Sequence, residues 1–174
     1  MFPTILESWR GRIVMSGLTN EPHNWFMTAI GTSDDWEYLP QVVTEYTACA
    51  GHVSDAGEMP DVVRGMIPFS DDVMLFLGDR SIWQLSGDPM SGGRFDLLSD
   101  KVGGAWGRAW CKDTVGTAYF FGSTGGVYKV APRSYPQRIT TGVIDKRLRD
   151  IDLSDTIVRM EWNEKAQGIH LFFV

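Results

Sequence analysis

The sequence predicts an all-β chain of repeated four-stranded antiparallel units, the kind that form the blades of a β-propeller. Three observations predict it. A layout of aromatic residue, short polar turn and strong apolar strand recurs along the chain. The apolar strands, such as VMLFLG and GIHLFFV, are nearly continuous runs, as suits strands covered on both faces. The composition combines 19 Gly, seven Trp and nine Phe, and long runs of helix formers are missing.

The anchors of the repeat are Trp9, Phe69, Trp110 and Trp162, which stand about 60, 41 and 52 residues apart. That spacing suits blades of roughly 40–50 residues. In the opening unit, Trp9-Arg10-Gly11 leads into a strand over 12–16, a turn follows through Thr19–Pro22, and a third strand runs over 24–30. Trp36-Glu37-Tyr38-Leu39 is the expected start of its fourth strand. Residues 41–60 have weak periodicity and predict a long connection with at most one helical turn. In the second unit Phe69 precedes the strand Val73–Leu77, and the third strand carries Trp83. In the third, Trp110 precedes Thr117–Phe121, and Tyr128 takes the place of Trp83. Trp162 then precedes Ile169–Phe173 and the sequence stops at Val174. The approximate units are 2–60, 61–101, 102–150 and an incomplete 151–174, about three and a half blades in one propeller-type domain. The half unit implies either a piece of a longer chain or completion by a second chain, with a homodimer as one form. A β-sandwich of about ten short strands is the alternative architecture.

The formal net charge is −6 and the pI about 5.0. A phosphate-gripping protein ordinarily shows a basic face. The densest basic run here, Lys146-Arg147-Leu148-Arg149, is flanked by Asp145 and Asp150, so sequence-specific nucleic-acid binding is not expected. Cys49 and Cys111 lack metal spacing and read as two buried free thiols, with a lean to a reducing compartment. The first residues have neither a basic nor a long apolar segment, which does not fit a signal peptide, and no apolar run nears the roughly 18 residues a bilayer span needs. No membrane partner is expected.

Catalytic groups are sparse. His23, His52 and His170 are the only imidazoles. His170 falls inside an apolar strand and reads as a packed or edge histidine. Cys49, His52 and Asp55 stand three residues apart, a spacing that matches no established nucleophile or metal site. The adjacent pairs Asp34-Asp35 and Asp71-Asp72 read as turn signals rather than paired catalytic carboxylates. Gly103–Gly107 and Ser123–Gly126 complete no phosphate-loop or dinucleotide pattern and read as hairpin turns or bulges. No catalytic residue, cofactor or metal is assigned, and the chain is not read as an enzyme. The indoles remain as ligand or interface groups, with Trp25, Trp36 and Trp83 the candidates; repeat-equivalent placement favours packing between blades over sugar stacking.

Two stretches resemble a known family. Trp9-Arg10-Gly11-Arg12-Ile13-Val14-Met15-Ser16-Gly17 followed by Pro22-His23-Asn24-Trp25-Phe26-Met27-Thr28, with Gly31–Trp36 after it, is similar to a segment of propeller-bearing bacteriophage tail proteins. These are the tail tubular or nozzle proteins and the packaged-DNA stabilisation proteins of short-tailed phages. Ile67–Phe76 with Ile82–Gly87 looks like their second unit. The motifs are degenerate, and the family's members are several times longer. The resemblance implies an architectural role in a virion tail or head-tail connector, built in the host cytoplasm and exercised on neighbouring virion proteins. It supplies no catalytic residues. A lectin-like propeller that binds carbohydrate is the alternative, although the polar residues beside the anchors differ from unit to unit.

Overall fold

The structure, a computed structural model, describes residues 2–174, apart from the side chain of Val143. The chain is all-β. Strands β1 (Ile5–Trp9), β2 (Arg12–Leu18), β3 (Glu21–Met27) and β4 (Cys49–Ala50) form one antiparallel sheet in sequence order. A second sheet has β5 (Val63–Ser70), β6 (Val73–Gly78), β7 (Ile82–Asp88) and β8 (Ser91–Ser99). A third has β9 (Trp110–Lys112), β10 (Ala118–Phe121), β11 (Val127–Val130) and β12 (Gln137–Arg138). A helix, α1 (Gly142–Arg149), follows, and β13 (Val158–Asn163) pairs with β14 (Gly168–Phe173) in a two-stranded sheet.

The repeat read from the sequence is the hairpin between the first two strands of each sheet. Trp9, Phe69, Trp110 and Trp162 all lie on leading strands, and the apolar run after each is the second strand. The turn between β1 and β2 has Arg10 and Gly11 at φ 52° and 69°, the mirror-image turn that matches strand twist. The third-strand aromatics are also in equivalent places: Trp83 faces Phe76 across the ladder, and Tyr128 faces Phe120.

Alternation along single strands explains why these runs are apolar throughout. In β6, Met74 and Phe76 pack with Trp25, Met27 and Val14 of the first sheet, while Leu75 and Leu77 pack with Phe120 and Tyr128 of the third. In β10, Ala118 and Phe120 face the second sheet, while Phe121 joins Val158, Met160 and Leu148 on the other side. Successive side chains point to opposite faces, so a sheet between two neighbours needs apolar residues at every position. The core is therefore three layers, one at each sheet-to-sheet junction.

Several features depart from the sequence reading. The first sheet's fourth strand is Cys49–Ala50; residues 36–39 form no strand, because the backbone there turns back on itself and Asp35 caps the Glu37 N–H at 3.1 Å. The connection 41–60 thus contains β4 and a single 3-10 turn at Gly51–Val53. Residues 142–149 are helical although 135–148 reads as the end of a sheet unit. Gly142 at φ 66° breaks the chain from its extended path, and Asp145 then binds the Arg149 side chain one turn later.

Gly103–Gly107 is neither a hairpin turn nor a bulge. It is a connector that hydrogen-bonds to all three later sheets. The Gly104 N–H reaches Gly78 O at 2.8 Å in the second sheet, and the Ala105 N–H reaches Phe121 O at 2.9 Å in the third. Trp106 O and Arg108 O accept from Val158 and Met160 N–H at 3.2 and 3.0 Å, alongside β13 in parallel sense. Glycine permits this approach: a Cβ on Gly103 would lie 2.2 Å from Asp79 O, and one on Gly107 2.7 Å from Val158 O. Substitution of Gly103 by Ala is expected to cost about 3 kcal/mol in urea unfolding, because backbone must move. Gly57 has φ 77° and open space around it. Gly57→Ala is expected to cost only about 1 kcal/mol, through backbone strain alone; equal losses would contradict the connector's role.

Candidate functional site

The leading strands stand side by side, β1 against β5 and β9 against β13. A cleft of about 960 Å³ opens beside β9 and β13, lined by Trp106, Arg108, Trp110, Lys112, Arg159, Glu161 and Trp162, with Thr4 at one side. Its size is that of a small-ligand site. The Arg108 guanidinium lies over the Trp110 ring at 5.4 Å, and Trp162 stacks on Tyr119 at 5.9 Å. The Trp162 Nε1–H is buried and has no partner among the described residues. Lys112 donates to the carbonyls of Pro68 and Phe69, tying β9 to the second sheet. A smaller recess next to the cleft holds Glu7 beside Arg108 and Trp110.

The electrostatics follow from this half-buried setting. Burial pushes the Glu7 carboxyl up, against the opposing pull of Arg108, the Trp110 N–H and Lys112. Burial lowers the Lys112 ammonium, with Glu7 opposing. The Cys111 thiol, also on the cleft, is pushed up to about 11 by burial and by Asp113, so it is protonated near neutral pH and a poor nucleophile. No histidine is among the lining residues. The arrangement offers indole stacking surfaces, the cations Arg108, Lys112 and Arg159, and the carboxylates Asp113, Glu161 and Glu164.

The three indoles singled out from the sequence do not meet there. Trp25 is fully buried between the first and second sheets, edge-on to Phe76, with its Nε1–H on Gly57 O at 3.2 Å. Trp83 packs against the same core and donates to Ser81 Oγ at 2.8 Å. Trp36 lies half-buried in the loop after β3. The cleft uses Trp106, Trp110 and Trp162 instead. Two of these are repeat anchors, and only the stitching of β13 to residues 106–108 brings them together, which no local pattern announces.

Cys49, His52 and Asp55 are likewise separate in their bonding. Cys49 is buried in β4, and burial lifts its thiol to about 11. His52 Nδ1 lies 2.7 Å from the Asn24 amide nitrogen. Asp55 accepts from the Gly92 N–H at 2.9 Å. His170 is exposed on β14, 3.2 Å from the Asn163 amide nitrogen. Among the described residues no group of three His, Cys, Asp or Glu is placed to hold a metal ion.

A second exposed feature is the loop between β3 and β4. Buried Arg12 has no carboxylate partner among the described residues; its guanidinium donates to Thr28 O and Thr47 O at 2.6 Å and to Glu45 O at 2.6 Å. This holds the loop from inside while Leu39, Val42, Val43 and Tyr46 face solvent. At the far side of the third sheet, Asp145 gathers Arg138, Arg149 and Thr140 around α1. Burial alone would raise the Asp145 carboxyl, but the hydrogen bonds of Arg149 and Thr140 and the two positive charges outweigh it and hold it below the usual range.

No known protein family matches this chain, and no curated protein matches it in sequence.

Replacing Arg12 with Met is expected to cost about 3 kcal/mol, because three carbonyls lose their donors. Limited proteolysis between residues 31 and 47 should then quicken at least about tenfold. Arg12→Lys is expected to recover little, since one ammonium cannot span three carbonyls. A depressed carboxyl stabilises the fold above its unfolded-state value of about 3.9 and loses that contribution as pH falls through its folded value. Asp145→Asn is therefore expected to lower Tm at pH 6 and to show a shallower fall from pH 5 to pH 2 than the parent. Parallel acid limbs would show that Asp145 does not anchor α1.

Proposed function

We propose that this chain is a structural component of a phage tail or head-tail connector, working through protein-protein contacts. The observation that supports it best is the state of the fourth sheet. β14 pairs with β13 on one side and has no strand on its other side among the described residues. Phe172 and Phe173 remain about half exposed on it. An open, uncharged, apolar edge strand is a template for strand addition, and soluble proteins ordinarily block such edges with charge, proline or a covering element. β14, Gly-Ile-His-Leu-Phe-Phe, carries no Lys, Arg, Asp, Glu or Pro. The phage assignment itself rests on the residues quoted above for the resemblance.

The cleft favours a second reading, a carbohydrate-binding module. Its indoles, with Arg159 and Glu161, which have no ion-pair partner among the described residues, are groups that bind sugars.

Light scattering over a dilution series is the test. A discrete oligomer is expected for the parent chain, with Phe172→Lys dissociating at about tenfold higher concentration, since lysine on an edge opposes pairing. A monomer at all concentrations that binds an oligosaccharide panel, and loses it in Trp162→Ala, would move the assignment to the second reading.

A further inference from the structure

Charge is divided sharply along this chain. From Ile13 to Val63 there is no lysine or arginine, while eight carboxylates are present. From Val127 to Arg149 there are six lysines and arginines and one carboxylate, Asp145. That carboxylate is already occupied by Arg138 and Arg149. Lys129, Arg133, Lys146 and Arg147 are exposed, and none has an ion-pair partner among the described residues.

Each region also shows apolar side chains to solvent. In the acidic one, Leu39, Val42 and Tyr46 are 68%, 72% and 60% exposed, beside Glu37 and Glu45. They are not a floppy tail: Arg12 binds Glu45 O and Thr47 O from beneath, and the Ile30 N–H donates to Tyr46 O at 2.9 Å. In the basic one, Tyr135, Ile139 and Ile144 are 56%, 44% and 64% exposed, the last of them on α1 with Lys146 and Arg147. Consecutive clusters of exposed large apolar residues rimmed by charge mark interaction surfaces.

We infer that these are the two halves of one interface, the acidic loop 34–46 of one copy, with Asp34, Asp35, Glu37 and Glu45 exposed, docking on the basic α1 surface of the next. This rests on the assembly reading above and adds a contact distinct from β14. Charge complementarity selects the partner, since like surfaces repel and unlike surfaces attract. The contact is head-to-tail, with different elements on the two sides, so repetition gives a ring or a filament rather than a two-fold dimer. Nucleic acid is the less favoured occupant of the basic surface, because a phosphate backbone gains nothing from Tyr135, Ile139 and Ile144.

The test exchanges the charges. Lys146→Glu/Arg147→Glu and Glu37→Lys/Glu45→Lys alter only exposed side chains, and unchanged circular dichroism and melting would confirm folding. Parent protein is expected to associate about tenfold more weakly at 500 mM than at 50 mM NaCl. Each double variant alone is expected to lose the association at least about tenfold. An equimolar mixture of the two should restore it, because both contacts are again unlike-charged. Association that ignores salt and both variants yet fails in Phe172→Lys would overturn the loop-to-helix contact and leave assembly through β14 standing. A parent chain that stays monomeric at every salt concentration, including one whose basic surface retains labelled duplex DNA, would overturn it together with self-assembly.

Discussion

Six residues of backbone hold most of this molecule in order. Gly103–Arg108 lies where the second, third and fourth sheets approach one another, and its N–H and C=O groups bond to each in turn. Backbone groups in such a place must be satisfied or the site is unstable. Side chains would keep the sheets too far apart for that, as the 2.2 Å approach at Gly103 and the Leu77 Cβ 2.7 Å from a Cβ on Gly104 make plain. The small residues at this point are therefore a condition of the stacking, not a sign of flexibility. The first two sheets are joined by other means: the Trp9 Nε1–H donates to Ser70 O at 2.6 Å, and Arg10 spans from its strained turn to Asp71 O and the Asp88 carboxylate.

Stacking fixes what each strand must carry. A central strand such as β6 serves two junctions at once, and truncating Phe76 or Leu75 would open different layers of the core. The first sheet is covered differently on its two sides. Trp25 and Met27 face the second sheet, while Phe26 between them points away and is closed over by Tyr38 and His52 at 5.6 and 6.2 Å. The chain's own loop thus serves the first sheet as a neighbouring sheet serves the others.

What was legible in the sequence follows the same physics. The all-β class and the repeat were readable because a strand covered on both sides must be apolar at every position, and because each hairpin repeats its aromatic and its polar turn. β4 was not readable: Cys49-Ala50 is two residues long, and its ladder with Phe26 and Met27 depends on a loop whose course Arg12 sets through carbonyls more than thirty residues away. Helix α1 escaped notice because its eight residues include Gly, Val, Ile and Asp, weak helix formers, and its support comes from the Arg138–Asp145–Arg149 cluster and from Leu148 in the core. The cleft was hidden for a related reason. Trp110 and Trp162 looked alike in the repeat, yet their common surface exists only because residues 106–108 add to β13.

The two ends of the array carry different consequences of one rule, that a sheet face or edge must be covered or made polar. At the first sheet the loop supplies cover, held by Arg12 through the Glu45 and Thr47 carbonyls, and it leaves Leu39, Val42 and Tyr46 facing outward. At the fourth sheet cover is partial: Phe173 still reaches Phe121 edge-on at 5.7 Å, and Ile169 and Leu171 pack inward, but Phe172 and the outer backbone of β14 face water. Apolar groups exposed in this way are places where a covering surface would gain by burying them. On the assembly proposed above, the same exposures would be the working surfaces, and the separation of acidic from basic segments would decide which of them can meet.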